Sequence, residues 1–120
     1  MNDQASVAEL KRKVQSFCEA RDWDQFHNPK DLAIGIVTEA SELLEEFRFR
    51  SESEGESLMD AAESHQRIEG ELADVLFFLL RFAQMFDIDL PSVLKRKLEE
   101  NERRYPVEKA RGKNLKYTDL

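Results

Sequence analysis

Two pairs of acids sit at helical spacing within the most apolar stretches of this chain: Glu39 with Glu42, and Glu71 with Asp74. The members of each pair are three residues apart, so both carboxylates project from one face of a helix. Their flanks, Leu32-Ala33-Ile34-Gly35-Ile36-Val37 and Val75-Leu76-Phe77-Phe78-Leu79-Leu80, are core-forming segments. Helices with such flanks must pack, and packing them carries four negative charges toward low-dielectric surroundings. Each charge then costs several kcal/mol unless something positive offsets it. A hard divalent cation, which prefers carboxylate oxygens, is the simplest offset. Acidic helices carry such pairs by chance, and Glu45, Glu46, Glu99, Glu100 and Glu102 read as solvated faces. The apolar setting is what separates the two chosen pairs.

The rest of the chain is helical in pattern. Charged residues make up 36% of 120, with only 4 Gly and 3 Pro, a mix that favours a salt-bridge-laced helical protein over a sheet. Ser6 and Glu9 form a capping box that opens a helix over 6–20. Asn28-Pro29 is a cap followed by a first-turn proline, starting a helix over 29–49. Between them, Arg21 to Asn28 reads as an aromatic-rich loop. Ser51 to Ser57 is acidic and serine-rich and reads as a flexible loop. A long helix follows over 58–86, with Gly70 a soft point where a bend is expected. Asp89-Leu90-Pro91 restarts the chain as a helix over 90–105, with Val93, Leu94 and Leu98 inward. A basic tail over 107–120 carries Lys109, Arg111, Lys113 and Lys116. The expectation is a single all-α domain over 1–120 built as a four-helix bundle. Apolar residues on more than one face of the 58–86 helix predict a dimer or a dimer of dimers.

Several classes are disfavoured. A net charge of −7 argues against general binding to nucleic acid or membrane, which wants a basic face. The one cysteine, Cys18, excludes an internal disulfide and suits a reducing compartment; we read it as lining the first helix. Without a leader pattern or an apolar run near membrane-spanning length, the expected location is cytoplasmic. A di-iron carboxylate bundle wants Glu-x-x-His on two helices, and neither His27 nor His65 has a glutamate three residues before it.

Glu39-Ala40-Ser41-Glu42, a spacer and Glu71-Leu72-Ala73-Asp74 resemble the metal motif of the MazG-like all-α nucleoside triphosphate pyrophosphohydrolases. The likeness is greatest to the dCTP pyrophosphatase branch. It extends through Arg21-Asp22-Trp23-Asp24-Gln25-Phe26-His27, Asp89-Leu90-Pro91, Asn101 to Tyr105-Pro106, Ala110-Arg111 and Lys116-Tyr117-Thr118-Asp119-Leu120. The resemblance implies cleavage of a nucleoside triphosphate, dCTP or a related or modified deoxynucleotide, to the monophosphate and pyrophosphate. It also implies dependence on Mg²⁺, with Mn²⁺ as a substitute, and a homotetramer with sites at subunit boundaries. The metal set it points to is Glu39, Glu42, Glu71 and Asp74, with Glu42 favoured to orient or deprotonate the attacking water. Trp23 and Asn101 are implied as base or sugar contacts, and Arg111, Lys116 and Tyr117 as phosphate contacts. Phe49 and Phe78 stand where relatives often carry Trp and Tyr, and Val14 where they carry His. The two phenylalanines can still stack on a base, but the hydrogen bonds that separate bases are lost, so base choice stays open. The alternatives are a nucleotide sensor without turnover and a non-catalytic helical interaction module.

Overall fold

A computed structural model describes residues 4–120, and among these every regular element is helical. Six α-helices follow in order: α1 Val7–Ala20, α2 Pro29–Phe47, α3 Glu52–Asp60, α4 Ala62–Met85, α5 Leu90–Arg104 and α6 Val107–Ala110. Short 3₁₀ turns lie at Asp24–Phe26 and Tyr117–Asp119. No helix among the described residues is long and apolar enough to cross a membrane.

The helix starts follow their caps. The Ser6 hydroxyl accepts from the Glu9 amide at 3.1 Å, the Asn28 side chain from the Asp31 amide at 2.9 Å and Asp89 from the Ser92 amide at 3.3 Å. The helix ends are less conventional. Asp22, Phe49 and Asp87 all adopt positive φ, at 56°, 66° and 53°, just beyond α1, α2 and α4, where glycine is the usual residue. Phe49 therefore lies outside α2, which ends two residues earlier than expected.

The second half of the bundle differs from the sequence expectation. Ser51–Ser57 is not a loop but the N-cap and first six residues of α3. Ser51 forms a full capping box with Glu54, its amide donating to Glu54 Oε1 at 2.7 Å while the Glu54 amide donates back to the Ser51 hydroxyl. Ala61 is extended (φ −87°, ψ 131°) and separates α3 from α4, so the expected helix over 58–86 begins only at Ala62. The Ser64 hydroxyl fastens the junction by donating to the carbonyls of Leu58 and Ala61. α4 then runs unbroken through Gly70, whose side-chain direction meets open space. Six helices thus replace the four expected.

The chain divides into two compact units, one ending at Asp87 and the other Ile88–Leu120. In the first, α4 is central, and α1, α2 and α3 all pack on it. The core is small: Cys18, Leu32, Ile68, Leu80 and Ala83, with Ser64 and Arg81 as buried polar residues. Cys18 lines α1 as expected, and burial pushes its thiol pKa up. Apolar side chains remain exposed on two helix faces: Ile34, Val37 and Leu44 on α2, and Leu72, Leu76 and Leu79 on α4. In the second unit, Leu94 and Leu98 were expected inward but are exposed. The four-residue α6 and a single 3₁₀ turn are too short to cover a helix of four turns. The tail is ordered around Tyr117, whose ring meets Tyr105 edge-on at 5.9 Å and lies 4.9 Å beneath the Arg104 guanidinium.

Candidate metal centre

α2 and α4 meet in antiparallel layers. At one end, Gly35 of α2 faces Phe78 of α4; at the other, Glu46 faces Arg67, whose Nε donates to both carboxylate oxygens at 2.8 and 3.0 Å. Between these layers, one helical turn from either, lie Glu39 and Glu42 on α2 and Glu71 and Asp74 on α4. Their carboxylate oxygens come within 4.8 Å of one another. The i, i+3 spacing read from the sequence thus turns both pairs toward the same small volume.

Glu39 is the most constrained of the four. Its Oε2 is buried and has no hydrogen-bond partner. Its contact with the Glu42 carboxyl, its burial, and the negative charges of Glu42, Asp74 and Glu71 push its pKa up to about 7. Burial, then Glu42, Glu46 and Asp74, raise Glu71 as well, opposed by Arg67. Each shift reports a negative charge with too little positive charge beside it. An orphaned buried oxygen among four convergent carboxylates fits a hard divalent cation, because such an ion takes oxygen donors and relieves the repulsion at once. Arg67 cannot do this, being engaged with Glu46.

A family model for the MazG-like family matches residues 34–120, which include all four carboxylates. The chain belongs to the MazG-like family. It is 36% identical over 115 residues to a mouse protein named dCTP pyrophosphatase 1, covering 96% of this chain and 68% of that one. The human protein of the same name is 34% identical over the same length and coverage. Among solved structures, a pyrophosphatase from Archaeoglobus fulgidus superimposes with a TM-score of 0.78 at 36% identity, covering 88% of this chain and 97% of that one. The MazG-like, all-α identity expected from the motifs is therefore sound.

The other expected site residues of this MazG-like chain fall into two groups. In the first unit, Phe78 lies one turn beyond Asp74. A Cβ on Gly35 would stand 2.6 Å from its ring, so only glycine lets the ring rest on α2 there. Phe78 starts a row of edge-on rings: Phe77 at 5.3 Å, then Phe17 at 5.9 Å and Trp23 at 5.6 Å. Trp23 and Phe78 are thus the ends of one aromatic row. Phe49 stands apart, 91% exposed, with the Arg48 guanidinium 4.5 Å from its ring. In the second unit, Asn101 is half-buried on α5, Arg111 follows α6, and Lys116 precedes the 3₁₀ turn that carries Tyr117.

Sequence reasoning missed Gly35, the Glu46–Arg67 pair and a buried cluster around Arg81. A signal for the last was present: Arg81 is the one charge in the apolar run from Val75 to Phe86.

Proposed function

We propose that this chain is a Mg²⁺-dependent nucleoside triphosphate pyrophosphohydrolase, releasing the monophosphate and pyrophosphate, with dCTP or a related or modified deoxynucleotide as its substrate. Hydrolysis of nucleoside triphosphates is its activity class. The observation that carries the reading is the four-carboxylate layer with the orphaned, buried Glu39 Oε2. The names of the relatives, dCTP pyrophosphatase 1 and pyrophosphatase, support it.

Glu39, Glu42, Glu71 and Asp74 hold the cation, Mg²⁺ or in its place Mn²⁺. A divalent cation supplies charge neutralisation on the phosphates and makes a water more acidic. Glu42, a more exposed member of the set, orients that water or takes its proton. Trp23, Phe78 and Phe49 offer ring faces to a base, and Asn101 contacts base or sugar. Arg111, Lys116 and Tyr117 hold phosphate oxygens, the first two supplying positive charge that the acidic body lacks and the tyrosine a hydroxyl donor. The exposed apolar faces of α2 and α4 support self-association as a dimer or dimer of dimers. A free, buried Cys18 suits the cytoplasm, where the enzyme would clear unwanted nucleotides.

The test is pyrophosphate release across the common ribo- and deoxyribonucleoside triphosphates, alongside thermal melts with and without Mg²⁺. We expect Mg²⁺ to raise Tm and at least one nucleotide to yield pyrophosphate. Protection by Mg²⁺ with no pyrophosphate from any nucleotide would sink the enzyme reading and leave a sensor. No response to Mg²⁺ at all would leave the helical interaction module.

A further inference from the structure

The first unit holds a second charged cluster. Arg81 of α4 is 1% exposed. Its Nε donates to His27 Nδ1 at 2.9 Å, one terminal nitrogen to Gln84 Oε1 at 2.6 Å, and the other pairs with the Asp24 carboxylate. Two of these three partners belong to the short segment between α1 and α2. With Nδ1 accepting, the His27 ring is neutral and carries its proton on Nε2. Burial and then the Arg81 charge hold its pKa down, against the opposing effect of Asp24.

Trp23, 36% exposed, is fixed between this cluster and the end of α1. Its amide donates to the Cys18 carbonyl at 3.0 Å and the Asp22 amide to Glu19 at 3.1 Å. With Asp22 at positive φ, this is a Schellman turn. The indole also meets the His27 ring edge-on at 6.2 Å. From Trp23 the aromatic row runs to Phe78, which borders the carboxylate layer.

Closing a loop over a core does not require a buried cation. Apolar side chains of similar volume in place of the whole charged group commonly serve as well or better. What a guanidinium adds is a planar fork of donors that fixes the orientation of several acceptors at once. We propose that Arg81 is a positioning residue for nucleotide binding: by fixing Asp24 and His27 it holds Trp23 at the angle from which the indole meets the base. The inference rests on the reading of Trp23 as a base contact given above.

Trp23 is the only tryptophan, so its emission reports the cluster directly. In Arg81→Met we expect a red-shifted emission, more acrylamide quenching, and a KM raised about tenfold for the best substrate of the nucleotide panel. The kcat and the Mg²⁺ half-saturation should change less than about twofold, the pattern of lost uniform binding. Arg81→Lys, which keeps charge but not the fork, should fall between. Asp24→Asn, at the half-exposed side of the pair, should reproduce the KM effect if Arg81→Met fails to fold. Leu80→Ala serves as a stability control, lowering Tm with KM and emission unchanged. An unchanged KM and emission in a folded Arg81 variant, or in Asp24→Asn, overturns the proposal, as does a KM shift of equal size in Leu80→Ala. Quenching of Trp23 by added nucleotide needs no turnover. A wild type that hydrolyses nothing therefore fails the enzyme reading, while lost quenching in Arg81→Met still decides this one.

Discussion

Two charged clusters share α4 and differ in how their charge is met. Around Arg81, a buried cation finds Asp24, His27 and Gln84 within the chain. Two to three turns earlier, Glu71 and Asp74 join Glu39 and Glu42, and there the chain supplies acid against acid and leaves Glu39 Oε2 without a partner. A cluster that satisfies itself serves the shape of the protein. One that leaves like charges facing each other is matched to something that binds. The same helix does both because its neighbour changes along its length: α2 faces it at the carboxylates, and the segment between α1 and α2 faces it two turns later at Arg81.

Breaking the unsatisfied cluster should therefore harm catalysis and spare the fold. Glu42→Gln is expected to lower kcat about 10³-fold with a metal-free Tm equal to or above wild type, read by pyrophosphate release and calorimetry. Near-normal turnover in that variant would show that the wrong carboxylate has been chosen. Chelation with EDTA should likewise abolish turnover, and added Mg²⁺ should restore it.

Breaking the satisfied cluster should instead weaken the fold and nucleotide binding while sparing kcat. Arg81→Met is expected to lower stability by about 2 kcal/mol, the scale for hydrogen bonds to a charged group, measured by urea denaturation. A stability gain would mean that the buried cation is a burden to the fold, and the contrast between the clusters would fail.

The layer beside the carboxylates offers a third handle. Gly35→Ala sets a methyl group into the Phe78 ring, and overpacking of this kind costs about 1–3 kcal/mol. The ring must move, so KM ratios among nucleotides should change while the Mg²⁺-induced Tm shift persists. Constant ratios would remove Phe78 from the base site. Phe49→Asn is a smaller test. Asparagine tolerates positive φ better than phenylalanine, so a gain of about 0.5–1 kcal/mol is expected together with a higher KM. A higher Tm without any KM change would make Phe49 irrelevant to binding.

A further effect is that of pH. Glu39 has a folded-state pKa of about 7 against an ordinary value of 4.5. A raised carboxyl favours the fold when protonated. Its contribution is complete below 4.5 and lost as pH rises through 7. Metal-free Tm should thus rise as pH falls from about 8 to about 5, and the Tm gain from Mg²⁺ should be larger at pH 8 than at pH 6. Equal gains at both would remove Glu39 from the metal set.

What the sequence made legible was whatever repeats at short range. The caps at Ser6, Asn28 and Asp89 and the four-carboxylate layer follow from spacing along one or two helices. α3 escaped because Ser51–Ser57 lacks an apolar stripe; its helix is held by the Ser51–Glu54 box, the same signal that marks α1. The Arg81 cluster escaped for another reason. Two of its three partners, Asp24 and His27, lie more than fifty residues away, and no period connects positions brought together only by packing. Leu94 and Leu98 show the converse limit, since an apolar stripe tells which face seeks cover but not whether the chain provides any.

The layered meeting of α2 and α4 also restricts how this protein can change length. Inserting one residue into either helix between its layers would rotate everything beyond it by about 100°, and Gly35 would no longer find Phe78 when Glu46 found Arg67. The two helices behave as meshed gears, whose teeth can be recut only in matching numbers. Residues 48–61, α3 and its joints, sit outside the mesh and can lengthen or shorten without changing its phase. Variation in chain length should collect there.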